Sequence, residues 1–176
     1  SKIPPTVRTN GVLLAQITPR SGTISGTSSV VELDGWNWED MAIKTDDGIH
    51  LNWYPMFKRE IEKSDEVNEF SPIKKSVDYD KQRNELKKFF ADAKAYSEIL
   101  PVEKNLRLEA MKGIFSGEKT LFVHVNHVKE IEDAIHFSKE AGVNKMVIVG
   151  GRDSWMIIGM LKENNIPVMV NRLHDL

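Results

Sequence analysis

The last third of the chain alternates short apolar runs with amphipathic stretches. The runs at 120–125, 145–149 and 166–170 are almost continuously apolar, as in strands that are buried on both faces. Between the first two runs, apolar residues recur at helical spacing, and residues 154–163 predict a second helix. Strands that alternate with helices over short connections form parallel sheets. The pattern therefore predicts a β-α-β-α-β unit with about three parallel strands.

The first 44 residues favour β structure. Apolar runs at 11–17 and 29–33 predict two strands, because proline and glycine turn signals separate them, and 38–44 is compatible with an extension of this sheet. The segment 21–29 is rich in glycine and hydroxyl side chains. We interpret it as a loop, with the alternative that it wraps a ligand, since glycine lets backbone approach closely.

The middle of the chain is less regular. Residues 45–78 are polar and are predicted as an irregular surface excursion, with room for a short amphipathic helix near 56–63. Residues 80–100 predict a long helix, and 108–115 a shorter one. The long helix carries an apolar stripe that predicts core packing rather than a cofactor site. Its members are Leu86, Phe89, Phe90, Ala93, Tyr96 and Leu100.

These patterns divide the chain into a β-rich segment (1–44), an irregular excursion (45–78) and helices followed by the β-α-β-α-β unit (79–176), together one incomplete domain. A complete (β/α)8 barrel takes about 250 residues, more than the 176 present. The predicted fold class is α/β, either a partial (β/α)8-type barrel or a small open sheet. The chain starts at Ser1 without methionine, and both ends resemble interior sequence, so we expect a fragment.

Composition narrows the classes of partner. A net charge of −2 and a sequence pI near 6.2 give no electrostatic footprint for nucleic acid or an anionic membrane. The absence of cysteine excludes disulfides, a thiol nucleophile and a thiolate metal site. No apolar run reaches the ~18 residues of a membrane span, and no signal peptide is visible. We expect neither nucleic acid nor a membrane as partner. The sequence does not indicate a cellular compartment.

His124 is the strongest candidate for chemistry. It lies near the carboxyl end of a predicted parallel strand, where barrel enzymes hold their catalytic groups, and imidazole is the commonest metal ligand. The alternative is a core histidine that bonds a backbone group. His127 can face the same rim, whereas His50, His136 and His174 have no constellation around them in the sequence. Strand alternation places His124 on the face of Phe122, and we expect this face to be the barrel interior.

Gly150 and Gly151 follow the second strand of the unit and precede a helix. Amides at a helix N-terminus attract anions, so this turn is a candidate binding element, although a plain tight turn is the favoured interpretation. Arg152 and Asp153 either point into a cleft or form a solvated pair. The nucleophile-elbow and zinc-protease motifs are absent from the sequence, and so is a paired-carboxylate motif.

Two blocks of sequence resemble imidazolonepropionase-related amidohydrolases. The first runs from 7–12 through 18–31, reading Thr-Pro-Arg-Ser-Gly-Thr-Ile-Ser-Gly-Thr-Ser-Ser-Val-Val, and continues over 33–35 and 38–41. The second comprises Leu-Phe-Val-His-Val at 121–125, Glu-Ile at 130–131, Val-Ile-Val-Gly-Gly-Arg-Asp-Ser-Trp at 147–155 and Asn-Ile-Pro-Val at 165–168. The blocks occur in the family's order and cover roughly two thirds of the chain.

The resemblance implies a (β/α)8 barrel that uses a divalent metal, zinc or similar, to hydrolyse C–N bonds in amides or cyclic amides. The family's ligands are an H-x-H on the first strand, histidines on two middle strands and an aspartate on the last. His124 matches one middle-strand histidine, and Gly150-Gly151 stands where the next is usual. The H-x-H would precede Ser1 and the aspartate would follow Leu176.

The expected function is therefore that of an amidohydrolase fragment. The resemblance implies a metal-dependent parent enzyme that acts on a small-molecule substrate, while the fragment, with His124 as its single ligand, is expected to bind no metal and to be inactive. Gly150, Gly151 and Arg152 are the predicted substrate-binding residues. The alternatives are a non-catalytic barrel relative that binds small molecules, and a stand-alone α/β phosphate-binding protein. Open sheet edges predict self-association.

Overall fold

A computed structural model of the protein describes residues 3–59, 73–99 and 103–171. The helices are α1 (Ile3–Thr9), α2 (Trp38–Met41), α3 (Tyr79–Ser97), α4 (Leu106–Ser116), α5 (Val128–Ala141) and α6 (Ile158–Glu163), with a 3-10 turn at Ser154–Ile157. The strands are β1 (Leu14–Ile17), β2 (Ile24–Glu32), β3 (Ala42–Asn52), β4 (Phe57–Arg59), β5 (Ile73–Lys75), β6 (Thr120–Val125), β7 (Met146–Gly150) and β8 (Val168–Val170).

Six strands form one mixed sheet in the order β1-β2-β3-β6-β7-β8, and β4 pairs with β5 separately. The pairs β3–β6, β6–β7 and β7–β8 are parallel, whereas β2 is antiparallel to both β1 and β3. Strand β1 therefore runs in the same direction as β3 and the three later strands. The β-α-β-α-β unit of the sequence pattern is confirmed as β6, α5, β7, α6 and β8.

The core lies between one face of this sheet and the helices α3, α4 and α5. Its sheet residues are almost completely buried: Ile49, Leu51, Leu121, Val123 and Ile148. The apolar stripe of α3 is confirmed as core for Leu86, Phe90, Ala93 and Tyr96, with Phe89 partly buried against it, and Leu100 lies outside the described residues. The ring of Phe90 contacts that of Phe137 on α5 edge to face. We call the opposite face of the sheet, which carries Gly48, His50, Phe122 and His124, the inner face.

The prediction of an irregular segment over 45–78 is wrong for residues 45–52, which form the second half of β3 at the centre of the sheet. The apolar residues of this half face the helices, while Gly48, His50 and Asn52 alternate with them. Residues 45–52 therefore lack the continuous apolar run that predicts a strand buried on both faces. The prediction of about three parallel strands omitted β3 for the same reason.

Three further predictions need correction. Residues 24–29 are not a loop but the first part of β2, which bonds to β3 along most of its length. Residues 38–41 do not extend the sheet, because Asn37 caps a short helix by accepting a hydrogen bond from the Asp40 amide. Residues 57–59 are a strand rather than a helix, and 60–63 lie outside the described residues.

The helices end largely as the sequence indicates. Gly142 ends α5 with a left-handed backbone conformation, as glycine permits. Asn126 does not cap α5, whose N-cap residue is His127. Among the described helices, none is both long and apolar enough to span a membrane.

A candidate site at the carboxyl ends of the parallel strands

Two histidines from neighbouring parallel strands meet on the inner face. His124 is the penultimate residue of β6, and its register partner in β3 is Asn52, which places His50 diagonally beside it. Nδ1 of His50 lies 2.9 Å from Nε2 of His124, so one ring donates a hydrogen bond to the other. The interpretation that His50 has no functional side chain near it is therefore wrong. His124 lies on the face opposite the helices, with its ring partly accessible.

His50 is the more enclosed ring. Its side chain is 2% exposed and stacks on Phe122, with ring centroids 4.7 Å apart and planes 10° from parallel. Gly48 makes room for that stack, since a Cβ there would meet the Phe122 ring. Nε2 of His50 is buried and has no hydrogen-bond partner in the described part of the chain. The ring is thus held by stacking and by one bond to His124.

Both imidazoles are neutral at pH 7. Burial lowers the pKa of His50 to about 4, helped by the neighbouring His124 and opposed by Asp47. The pKa of His124 is also lowered, first by burial and then by the positive charge of Arg20. Removing an imidazolium from water is unfavourable, which is why burial dominates in both rings. A neutral pair can share a single N–H between the two facing nitrogens.

The segment 18–23, which joins β1 to β2, is fastened to the carboxyl end of β3. The backbone N–H of Asn52 donates to Thr23 O at 2.7 Å. The side-chain Nδ2 of Asn52 donates to Gly22 O at 2.7 Å and to Ser25 Oγ at 3.0 Å. The Tyr54 hydroxyl contacts Thr23 Oγ1 at 2.9 Å. This part of the glycine- and hydroxyl-rich stretch is therefore a braced loop beside the candidate site.

A second polar group, formed by His127, Arg152 and Asp153, lies at the carboxyl ends of β6 and β7. Asp153 Oδ2 is 3.2 Å from His127 Nδ1 and accepts a hydrogen bond from the Val128 amide at 3.3 Å. Arg152 contacts both side chains, with Nε 3.6 Å from Asp153 Oδ1 and Nη2 3.3 Å from His127 Nδ1. Asp153 precedes the 3-10 turn without capping it through its side chain, and its carboxylate bonds to the first turn of α5 instead.

Gly150 and Gly151 form a tight turn whose amides are largely engaged. The Gly151 amide donates to Val125 O at 2.7 Å, and the Asp153 amide donates to Asn126 O at 2.9 Å. These donors are not free to cradle an anion. Both glycines have positive φ, +98° and +60°, and a Cβ at Gly150 would lie 2.5 Å from Asn126 Oδ1. Position 150 is therefore shaped for glycine.

A hydrogen-bonded chain buttresses the carboxyl end of β3 from the helix side. The Trp53 amide donates to His124 O, and Trp53 Nε1 donates to the Tyr79 hydroxyl at 3.0 Å. Tyr79 in turn donates to Asp133 Oδ2 at 2.6 Å, and Arg83 Nε holds the same carboxylate. Burial and the bond to Asp133 raise the pKa of Tyr79, so it stays protonated.

A surface hollow of about 510 Å³ lies at the opposite edge, where β6 and β7 begin. Its lining includes Thr120, Lys145 and Pro167, which lie at the amino ends of β6, β7 and β8, whereas His124 lies near the carboxyl end of β6. Barrel enzymes place their chemistry at the carboxyl ends of the strands, so the hollow does not alter the choice of site. His136 is exposed on α5, and His174 lies outside the described residues.

The described residues do not make up a metal site. A zinc site takes three or four protein ligands. Within the described ranges, no group of three or more His, Cys, Asp or Glu side chains is placed to share one ion. His50 and His124 supply two imidazoles, and one nitrogen of each is engaged in their mutual bond.

The fold is similar to that of a known enzyme structure. An amidohydrolase from Thermotoga maritima MSB8 superposes with a TM-score of 0.72 at 18% sequence identity, covering 93% of this chain and 43% of that one. No protein-family model and no curated protein matches the chain. The similarity favours a curled half-barrel over a small open sheet, and this chain spans less than half of the similar structure.

Proposed function

We propose that the chain forms part of the active-site wall of an amidohydrolase-type enzyme that hydrolyses C–N bonds other than peptide bonds, in amides or cyclic amides. The observation that carries the proposal is the bonded pair of neutral imidazoles at the carboxyl ends of β3 and β6. The fold similarity supports a barrel relative of such enzymes. The two sequence blocks narrow the proposal to the imidazolonepropionase-related branch.

In this proposal His124 accepts and returns a proton, and His50 orients the ring of His124. When His124 donates from Nε2 to His50 Nδ1, its own Nδ1 is left free to accept a proton. A neutral imidazole in this state is a competent general base toward water, and it can return the proton to a departing nitrogen. His50 is enclosed and stacked, so it fixes the ring of His124 rather than reaching the substrate itself.

A divalent metal in the parent protein stays a prediction of the resemblance. Such an ion would polarise the carbonyl and lower the pKa of its bound water. Among the described residues the two imidazoles alone fall short of its ligand set, so we infer that these described residues do not by themselves complete the active site.

The second candidate function is a non-catalytic barrel relative that binds small molecules. Position 150 favours this alternative, because its φ of +98° and the 2.5 Å that would separate an added Cβ from Asn126 Oδ1 disfavour the histidine that the family usually has there. A scaffold without that ligand can keep a carbonyl-binding cleft while losing hydrolysis.

The test is hydrolysis by the complete gene product and by the 176-residue chain, with N-acyl amino acids, hydantoin and dihydrouracil, with and without added zinc or manganese. We expect the complete product to turn over at least one compound. His124→Asn should lower kcat/KM by about 100-fold or more, in the range for a lost general base. His136→Asn, on the outer surface of α5, is the matched control and should leave kcat/KM unchanged.

Each outcome separates the two candidates. Hydrolysis that survives His124→Asn would contradict the proposed role of the imidazole pair. Binding of these compounds without turnover in the complete product would favour the binding module. Turnover by the 176-residue chain that both a chelator and His124→Asn abolish would refute the inference that the chain is incomplete.

A further inference from the structure

The three residues at the carboxyl end of β3 connect the candidate site to the helix layer. Asn52 and Tyr54 hold the loop 18–23 and the start of β2 through four hydrogen bonds. Trp53 lies between them in the chain, and its indole is buried in the core on the helix side of the sheet. A shift of this segment would therefore move the loop beside the site and the indole in the core together.

Trp53 is also bonded to the strand that carries His124. Its backbone N–H donates to the carbonyl oxygen of His124 at 3.1 Å, one residue beyond the end of β3. The facing nitrogens of His50 and His124, which project from the same two strands, are 2.9 Å apart. A donor and an acceptor about 3.6 Å apart no longer form a hydrogen bond, so a movement of less than about 1 Å would separate the rings. The spacing of β3 and β6 at this end therefore decides whether the imidazole pair exists.

The indole of Trp53 is held by two helices. Its Nε1 donates to the Tyr79 hydroxyl at 3.0 Å, and its ring lies edge to face with Phe137 of α5, with centroids 5.4 Å apart. Tyr79 belongs to α3, is 2% exposed, and donates onward to Asp133 Oδ2 of α5 at 2.6 Å. The Tyr79 hydroxyl thus joins Trp53 to both α3 and α5.

The carboxylate that receives this hydroxyl is itself fixed. Nε of Arg83, one helical turn after Tyr79 on α3, lies 3.0 and 2.9 Å from the two oxygens of Asp133. A second contact from α5 reaches the same part of the chain, because the buried Glu130 accepts a hydrogen bond from the Met56 amide at 2.8 Å. Helix α5 follows β6 directly, so these contacts hold the end of β3 against the helix that continues from the partner strand.

We propose that Tyr79 is a positioning residue for the candidate site, which acts through Trp53 on the spacing of β3 and β6. That spacing sets the bond between His50 and His124 and the position of the loop 18–23. Tyr79 lies on the helix side of the sheet and acts only through these residues. The inference rests on the proposed function for the role of the imidazole pair, and it adds a residue behind the sheet on which the pair depends.

Helix α3 supplies a matched control in a second buried tyrosine. Tyr96 is 8% exposed, and its hydroxyl donates to Glu109 Oε2 of α4 at 3.1 Å and accepts from the Asn105 amide. It lies about 25 Å from Tyr79 along the helix axis, at 1.5 Å per residue. Tyr79→Phe and Tyr96→Phe therefore each remove one buried hydroxyl bonded to a carboxylate on another helix, but only Tyr79 is joined to Trp53.

The test reads the site directly by NMR of the labelled 176-residue chain. The readouts are the imidazole ¹⁵N shifts of His50 and His124 and the amide shifts of residues 18–25. We expect Tyr79→Phe to change both sets and Tyr96→Phe to leave both unchanged. Asp133→Ala, which removes the acceptor of the Tyr79 hydroxyl, should change the same signals. Asp133→Asn keeps an oxygen in that place and should retain most of the parent pattern.

Hydrolysis by the complete gene product gives a second readout. Tyr79→Phe should lower kcat about tenfold with a smaller change in KM, because a small misplacement of a catalytic group is costly. Tyr96→Phe should change kcat less than about twofold, although both variants lose a buried hydrogen bond. A merely stabilising role for Tyr79 would give the two variants the same kcat and the same imidazole shifts.

Two results would overturn the inference. They are parent-like imidazole and loop signals in both Tyr79→Phe and Asp133→Ala, and equal changes of these signals in Tyr79→Phe and Tyr96→Phe. If Tyr79→Phe does not fold, the comparison of Asp133→Ala with Asp133→Asn decides. Displaced imidazole signals in a gene product without hydrolysis would leave this inference standing and reject the proposed function. Hydrolysis that requires His124 but is insensitive to Tyr79→Phe would do the reverse.

Discussion

Replacing Gly150 by alanine tests whether the turn after β7 is closed to any side chain. The glycine has φ +98°, where an L-residue is disfavoured by about 1–2 kcal/mol. The added Cβ would also lie 2.5 Å from Asn126 Oδ1 and 3.1 Å from the backbone oxygen of Val125. Relieving such overpacking costs about 1–3 kcal/mol. We expect Gly150→Ala to lower the free energy of unfolding by about 2–5 kcal/mol.

Gly159→Ala is the matched control. Gly159 lies in α6, is exposed, and would place its Cβ in open space. The same chemical change should there stabilise the chain, by up to about 1 kcal/mol, because alanine is the better helix former. Gly150→His should be at least as destabilising as Gly150→Ala, since it adds a ring to the same crowded Cβ.

Urea unfolding followed by tryptophan fluorescence measures both effects, since Trp53 is buried in the core. With an m-value of about 2 kcal/mol/M, Gly150→Ala should lower the midpoint by about 1–2.5 M without a change in slope. An unfolding free energy within about 0.5 kcal/mol of the parent chain, the range of neutral surface changes, would refute the steric reasoning. So would a Gly150→His variant as stable as the parent.

Three further outcomes are expected. The pKa of His50 falls from 6.5 in the unfolded chain to about 4 in the fold, so the stability that its neutral form contributes is complete above pH 6.5 and is lost as the pH falls toward 4, by up to about 3 kcal/mol. Urea midpoints measured between pH 7 and 4.5 should fall accordingly, and a His50→Gln variant with the same pH dependence would contradict this prediction. Tyr79→Phe leaves Trp53 Nε1 buried without an acceptor and should cost about 1–3 kcal/mol in the same assay, whereas an unchanged midpoint would show that the hydroxyl is dispensable. The outer strands β1 and β8 each have one unpaired edge in the described sheet, and Leu13, Leu14 and Val170 near them are exposed, so we expect dimers or larger species by light scattering; a clean monomer at high concentration would count against this.

The helices α3, α4, α5 and α6 and the last three sheet strands could be predicted from the sequence because their signals are local, whereas α1 and α2 were not predicted. The stripe of α3 repeats at helical spacing, and the apolar runs of β6 and β7 stand between clear turn residues. Gly142 ends α5 through its own backbone freedom, with no distant partner needed. Each of these features is decided within about one helical turn or one strand length.

The parts that escaped prediction depend on distant residues. Strand β3 takes its place from β2 on one side and β6 on the other, and its inner-face residues interrupt the apolar pattern. His50 becomes a candidate site residue only through its contact with His124, which is 74 residues away in the sequence. Alternation of Ile49 and Leu51 with polar residues was the available signal for this strand. Asp153 contacts the first turn of α5 rather than its own helix, which no local capping rule indicates.

The separation of 74 residues between the two paired histidines also has a consequence for the order of folding. Strands β6, β7 and β8 are joined by short crossovers, so their pairing closes small loops, whereas joining β3 to β6 closes a much longer one. Loop closure loses more entropy as the loop lengthens, and contacts distant in sequence slow folding. We therefore expect the β6–β8 unit to form early and β3 to dock afterwards. The imidazole pair would then be assembled in the last stage, and a chain arrested before that stage would have native helices but no site.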